Sequence, residues 1–434
     1  MSATQDSAGG TARNTRGRLK AVPATGGTPV APTGPAIVRR LADKFNADGR
    51  AHYRVTHTQD GPPVKTEIVN ARVAILAAYA DDTGEPYPLA ETETADRTQS
   101  VVTHYDLRVS RAGTDQDGTV ILPDVPADDF TKCAWVDRAE LSSLPVLIAP
   151  GQTARQEVVL AIKSSTPYAI VPAYGKLGWH FRGGRWMYVH GGGAWDRAGA
   201  VPDVRVHGDG LATFTMSPPP TGIEDGRRAF DALFQLFDMG RDQFAAVEIG
   251  AAFRASMGRP VGSITYIADN RSGKSGRAAF VTQCWAPGVR YRSFPFNAGK
   301  ANGSPAYIEG IHHVYGDMVV TWDDMAPIGT PMERALYFDQ FARSLFNGSS
   351  KGRSSLKGQA RPRLRPRAYG VLTAEDVPAV ESGLNRTHVI TLTRGEFDAD
   401  RFKAADRGTG PADRSAHMSA FVVWWAARMP MYHH

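Results

Sequence analysis

The chain has 434 residues, 42% apolar and 22% charged, with a net charge of +6. That balance is close to the average of soluble globular chains and excludes a collagen-like, acidic-disordered or disulfide-scaffold class. The only two cysteines, Cys133 and Cys284, fit no zinc or disulfide pattern, lie far apart in sequence and read as buried or free thiols. No stretch approaches the ~18 uninterrupted apolar residues of a membrane span. The N-terminus lacks an apolar signal core, so the cytoplasm is the expected compartment.

Residues 1–35 are rich in Ala, Gly, Thr and Pro, with Arg13, Arg16, Arg18 and Lys20 as the main charges, and predict a disordered tail. Residues 36–220 change to short β-prone runs: Val73 to Leu76, Val101 to Val109, Thr119 to Leu122 and Val158 to Ile162. Asp81-Asp82-Thr83-Gly84 and Asp115-Gln116-Asp117-Gly118 supply turn chemistry between them. Leu177 to His190 reads as a β-hairpin around Gly183-Gly184. This region predicts a β-rich accessory domain without a catalytic constellation. His180 and His190 have no third ligand at useful spacing and read as packed histidines. From 223 to 257 the period turns helical, with Phe230, Leu233, Phe234 and Phe237 on one stripe. It leads into a second domain, residues 221–405, with 406–434 left as a short C-terminal helix.

Val261 to Ile267 reads as a buried strand, followed by Ala268-Asp269-Asn270-Arg271-Ser272-Gly273-Lys274-Ser275-Gly276 and a helix-capable run to Trp285. Strand, turn and helix in that order are the context of a Walker A phosphate-binding turn, with Ala268 where the strict motif has glycine. Backbone amides of the turn and the helix N-terminus can cradle phosphates. Lys274 adds a point charge and the Ser275 hydroxyl one position on Mg2+. ATP and Mg2+ are therefore the expected cofactors, with Ala268, Asn270, Arg271, Ser272, Gly273, Lys274, Ser275 and Gly276 as the binding turn.

About fifty residues downstream, Met318 to Trp322 is an apolar run ending in Asp323-Asp324. Asp323 is the expected magnesium partner and Asp324 the base that polarises the attacking water. A third run, Arg367 to Thr373, closes on a polar residue, so Thr373 is assigned to sensing the γ-phosphate. Thr387 to Leu392 extends the sheet. Strands alternating with helical runs (Pro305 to Tyr315, Glu333 to Phe346) predict an α/β, three-layer P-loop domain with a largely parallel sheet. Between the acid strand and the Thr373 strand, Lys351, Arg353, Lys357, Arg361, Arg363, Arg365 and Arg367 accumulate with no acid among them. Gly and Pro make this a basic loop or hairpin suited to a phosphate backbone. Arg353 and Arg386 are the candidates for an arginine finger toward a neighbouring subunit's γ-phosphate.

The hairpin Gly178-Trp179 to Val189, Ser272-Gly273-Lys274-Ser275, Val320-Thr321-Trp322-Asp323-Asp324, Asn347 to Arg353 and Gly370 to Pro378 occur in an order that resembles helicase-like P-loop ATPase domains of phages, plasmids and integrative elements, often found beside primases. The resemblance spans about residues 60–420. It implies an ATP-driven DNA transaction on single-stranded or duplex DNA, possible in an oligomeric ring like those of superfamily 3 helicases, where a basic element between the Walker B and sensor strands contacts single-stranded DNA. Asp324 departs from a common Glu, and the chain stops soon after Phe421 to Ala427, where the family usually continues. Two other classes compete: a non-catalytic nucleotide-binding scaffold and a small-molecule phosphotransferase.

Overall fold

The computed structural model describes residues 44–48, 50–59, 61–81, 102–111, 118–151, 153–165, 167–202, 204–208, 210–297, 305–325, 330–348, 353–354, 360–361, 364–375 and 381–432. The expected tail and the two Asp-rich turns fall largely or wholly outside these residues, as do Lys351, Lys357 and Arg363.

The first half is built on strands. A small antiparallel sheet of β1 (Phe45–Ala47), β2 (His52–Thr56) and β3 (Val64–Val69) precedes β4 (Arg72–Asp81), β5 (Val102–Arg111) and β6 (Gly118–Pro126). Helices α1 (Ala127–Lys132) and α2 (Ala154–Ser165) follow, then β7 (Ala169–Tyr174). β4, β5 and β6 form an antiparallel meander, and β7 joins β4 in parallel, so the sheet is mixed. In β5, Tyr105, Leu107 and Val109 are buried while their neighbours are not, the two-residue period of a strand with one covered face. Val158, Ala161 and Ile162 of α2 belong to the same core as those β5 residues. The β-branched run Val158 to Ile162 is thus helical, not extended; burial spaced three and four apart, against β4, overrides its β propensity.

A hairpin sheet follows: β8 (Gly178–Arg182), β9 (Arg185–His190), β10 (Gly193–Asp196) and β11 (Gly199–Ala200). Gly183 and Gly184, both at positive φ, close its first turn as the sequence predicts. β12 (Arg205–Val206) then pairs with β7. His180 is buried with its Nε2 3.0 Å from the Lys176 carbonyl, and His190 Nδ1 accepts from the Gly192 and Met216 amides, each at 3.2 Å. Both are packing residues.

Helices α3 (Ile223–Phe234) and α4 (Asp242–Ser256) lead into the second half. Its strands and helices are β13 (Ser263–Ile267), α5 (Lys274–Thr282), β14 (Phe296–Asn297), α6 (Pro305–Val314), β15 (Val319–Met325), α7 (Pro331–Asn347), β16 (Arg353–Ser354), β17 (Ala360–Arg361), β18 (Tyr369–Ala374), α8 (Glu381–Leu384), β19 (His388–Thr391), α9 (Ala399–Ala405), α10 (Gly410–Ala426) and α11 (Met429–Tyr432). Five strands lie in the order β14-β15-β18-β13-β19, and each neighbouring pair is parallel. Thr321, Val371 and Ile264 are in register on one face; Trp322, Leu372 and Thr265 are in register on the other. The first face meets α5 through Thr282 and Thr321, whose hydroxyls lie 2.6 Å apart, and α4 through Tyr266. The second face meets α6, where the Trp322 indole donates to His312 Nε2 at 2.8 Å. Helices therefore cover both faces, and every residue of β13 and β18 is buried.

One hydrophobic core runs from Tyr174 to Met429, so the hairpin strands β8 and β9 share it with the parallel sheet. An ion pair fixes that junction. Asp317, buried at the entry to β15, accepts from the Trp179 amide (2.9 Å), the Arg259 amide (3.0 Å) and Arg367 Nη1 (2.8 Å). The Tyr188 hydroxyl donates to the Asp317 carbonyl at 2.8 Å. Arg367, counted from sequence among the DNA-contacting residues, is only 5% exposed and serves this pair instead. A buried carboxylate needs a charged partner more than a surface phosphate does.

Candidate functional site

Three neighbouring strands, β13, β18 and β15, deliver their C-terminal ends to one point. β13 gives way to the turn at Ala268, whose amide donates to the Ala374 carbonyl at 3.2 Å. The Ser272 hydroxyl donates to the Asp269 carbonyl at 2.7 Å and closes the turn on itself. Arg271 and Gly273 both take positive φ, 66° and 93°. At Gly273 a Cβ would come within 2.3 Å of the Phe397 ring, so only glycine fits that step. The helix α5 starts immediately after, at Lys274, and its first-turn amides have no helical carbonyl to bond.

Lys274 Nζ donates to the Ala268 carbonyl at 3.1 Å and the Ala374 carbonyl at 3.4 Å, bridging the ends of β13 and β18. The next residue's hydroxyl, Ser275 Oγ, donates to Asp323 Oδ1 at 3.0 Å. Thr373 Oγ1 donates to the same oxygen at 2.7 Å. Two hydroxyls from two elements thus converge on one carboxylate oxygen from a third. Asn270, Arg271, Ser272, Gly273, Lys274, Ser275 and Gly276 also line a cleft of about 500 Å³.

Sequence reasoning placed the turn, Asp323 and Thr373, and the fold brings them together. Asp324 follows Asp323 in β15, and its side chain lies outside the described residues. Arg386 is held within its own subunit, donating to the Ser382 carbonyl and hydroxyl with its guanidinium 5.7 Å from the Phe346 ring centroid. Arg353 and Arg361 are backbone register partners in the two-stranded β16–β17 hairpin, which lies between α7 and β18 in chain order. Arg365 is exposed, with its backbone amide on His313 Nδ1 at 3.2 Å.

The cluster under the turn was not anticipated. Arg277, one turn along α5 from Gly273, is bidentate to Glu248 of α4 at 2.7 and 2.6 Å, and the Tyr266 hydroxyl of β13 donates to the same carboxylate at 2.5 Å. All three are buried. Burial pushes the Glu248 carboxyl above its ordinary value against the pull of the guanidinium, and burial beside that carboxylate pushes the Tyr266 phenol well up. The signal was present: Glu248 interrupts the run Ala245-Ala246-Val247-Glu248-Ile249 on a helix with a buried face, where a lone acid demands a partner.

Among the described residues no cluster of three or more His, Cys, Asp or Glu could hold a metal, and no helix is long and apolar enough to cross a membrane. The pair Ser275 and Asp323 suits Mg2+, which takes one or two protein oxygens and completes its octahedron with water and phosphate.

No protein-family model matches the chain, and no curated protein matches it. Among solved structures, the chain is similar to the active helicase Cch of SCCmec type IV, at 12% identity and TM-score 0.48, over 90% of this chain and 66% of that one. The chain thus spans slightly less than two thirds of that protein's length. It is also similar to the apo C-terminal region of NrS-1, at 8% identity and TM-score 0.35, over 76% and 70% of the two chains. For the JCV helicase the values are 14% and 0.27, over 48% and 61%. None of these likenesses reaches a TM-score of 0.5, and the function proposed below rests on the site itself.

Proposed function

We propose that the second half of the chain is a P-loop NTPase fold and that the protein is a Mg-ATP-dependent, DNA-associated ATPase, a helicase-like motor or remodelling factor of a mobile genetic element. The observation that carries this is the shared grip on Asp323 Oδ1 by Ser275 and Thr373, beside a lysine anchored at the ends of two strands. In parallel α/β sheets ligands bind at the carboxyl ends of strands, and here those ends carry a glycine turn, a helix N-terminus, a cation and a magnesium-competent pair.

Each residue has a task. The turn amides and Lys274 bind the β- and γ-phosphates, while Ser275 and Asp323 hold Mg2+, which when bound neutralises developing phosphate charge. Thr373, hydrogen-bonded to Asp323, reports the occupancy of the γ-phosphate position to β18. Asp324 orients the attacking water, and Arg353 or Arg386 of a neighbouring subunit in a ring completes the site. The β16–β17 hairpin, with Arg353 and Arg361 and the adjoining Lys351, Lys357, Arg363 and Arg365, grips the DNA backbone.

The test is ATP hydrolysis with and without single-stranded DNA across a salt series. Lys274→Ala is expected to lower kcat/KM by roughly 10²- to 10³-fold. Replacing Arg361 and Arg365 together is expected to leave DNA-free hydrolysis in place and to reduce the slope of log affinity against log salt by about 1.4, two phosphates at ~0.7 each. Hydrolysis indifferent to any nucleic acid would overturn the motor reading, and ATP binding without turnover would select the scaffold.

A further inference from the structure

The turn between β13 and α5 has two limbs, the strand that enters it and the helix that leaves it. Tyr266 stands on the first, just before Ala268, and Arg277 on the second, just after Lys274. Both side chains end on one carboxylate from outside the motif, Glu248 of α4. The phenol reaches it at 2.5 Å and the guanidinium at 2.7 and 2.6 Å. Arg277 also meets the turn through its backbone, since its amide donates to the Gly273 carbonyl at 3.0 Å. A single acid thus staples the entry and the exit of the turn.

The staple is enclosed. Glu248, Arg277 and Tyr266 are each at most 1% exposed. The guanidinium lies 6.0 Å from the Phe244 ring centroid and 5.9 Å from that of Phe397. A Cβ at Gly240 would come within 2.9 Å of both Arg277 Nη1 and the Glu396 carbonyl, so a glycine lets the loop before α4 close over the guanidinium. Phe397, which with Phe402 and Tyr291 walls the cleft beside the turn, presses on Gly273 and Gly276. Apolar side chains would hold α4 against the turn at less cost, because a buried ion pair recovers its desolvation only when its bonds are well made. They would not set direction. A guanidinium fork on a carboxylate fixes both angle and distance.

We propose that Glu248 is a positioning residue for the phosphate site, holding the entry strand and exit helix at the separation where the turn amides and Lys274 converge on one anion. This rests on the phosphate-site reading above. The turn has few ties of its own: the Ser272 hydroxyl bonds the Asp269 carbonyl, and Lys274 spans the carbonyls of Ala268 and Ala374. Once Lys274 turns to a phosphate its two bonds are given up, and the Glu248 staple still spans the limbs. A small misplacement of groups that bind a reacting phosphate is costly, so the staple acts on binding and rate through the turn. Helix α5 has a second buried tie, Thr282 to Thr321, but that one lies at the end of the helix away from the turn.

Calorimetric binding of inorganic tripolyphosphate with Mg2+, together with steady-state ATP hydrolysis, separates positioning from mere support. Tyr266→Phe removes one bond to Glu248 and keeps the ion pair, while Arg277→Lys keeps the charge and loses the fork. Thr282→Val is the comparison, a buried hydroxyl lost from the same helix away from the turn. Tyr266→Phe is expected to weaken tripolyphosphate roughly 5- to 20-fold and to lower kcat/KM by about 10-fold. Arg277→Lys should exceed it in both. Thr282→Val should stay within about 2-fold of wild type in both, even where its thermal midpoint falls as far as that of Tyr266→Phe. The proposal is overturned if Tyr266→Phe, folded by circular dichroism, also stays within about 2-fold of wild type, or if Thr282→Val weakens the anion as much. Should the wild type bind no tripolyphosphate, it is the phosphate-site reading that fails, and the positioning role falls with it.

Discussion

The two five-stranded sheets of this protein solve burial differently. In the mixed sheet, β5 buries every second residue, and Leu76 and Ile121 remain 37% and 46% exposed. In the parallel sheet, β13 and β18 bury every residue, polar Ser263, Thr265 and Thr373 included. At one such strand end the part-buried Asp323 finds its partners in the hydroxyls of Ser275 and Thr373. The one-sided sheet has no such place. Its charged group of Arg205, Asp106 and Tyr79 lies on a partly solvated face, with Arg205 3.2 Å from both Asp106 and the Tyr79 hydroxyl.

The largest expected difference follows from that contrast. Glu248→Ala strands Arg277 in a dry interior and should cost about 3–5 kcal/mol in urea denaturation. Asp106→Ala breaks a partly exposed pair and should cost about 1 kcal/mol or less. Equal losses would mean that solvent reaches the Arg277 cluster.

How much of this was readable beforehand varies with the range of the interaction. The turn proposed for phosphate is local: Ser272-Gly273-Lys274-Ser275 lies between a strand before it and a helix after it, which fix its setting. Asp323 and Thr373 were legible because each ends an apolar run, and strand ends in a parallel sheet collect on one side. Arg367 was misplaced because a run of cations looks uniform along the chain. Its destination depended on Asp317, fifty positions earlier. The acid at the entry to the buried run Met318 to Thr321 was the clue to a demand for charge. The aromatic cleft was illegible in kind, since Tyr291, Phe397 and Phe402 meet only after β19 and α9 return to the turn.

Acid should separate the two halves next. Burial depresses His180 far below its ordinary range, His190 to about 4 and His312 to about 3, all in the larger core; in the smaller one burial depresses His52 to about 4. A neutral buried histidine binds fewer protons folded than unfolded below the unfolded value of ~6.5. Its stabilising contribution is therefore complete above pH 6.5 and is lost as pH falls toward the folded value. Between pH 7.5 and 5.5 each such group should give up on the order of 1 kcal/mol, so the larger core, with three of these rings, should lose more than the smaller, with one. Tryptophan fluorescence, which reports Trp179, Trp285 and Trp322 of the larger core and Trp135 of the smaller, follows the two. A midpoint unchanged over that range would show that these rings gain protons without unfolding.

The smallest contrast uses β-branched residues and asks whether the covered faces are as dry as their burial implies. Val371 sits on the face that meets α4 and α5 and is fully buried beside Thr321, whose hydroxyl is already paired with Thr282, so Val371→Thr adds a hydroxyl to a dry interior for almost no change in volume. The expected cost is about 1–3 kcal/mol, arising from the unsatisfied oxygen rather than from a cavity. Ile121→Thr on the open face of the mixed sheet should stay within about 0.5 kcal/mol. Thr373, two residues along from Val371, tolerates its own hydroxyl because Asp323 accepts from it. If Val371→Thr proves as mild as Ile121→Thr, water or a polar group reaches that face.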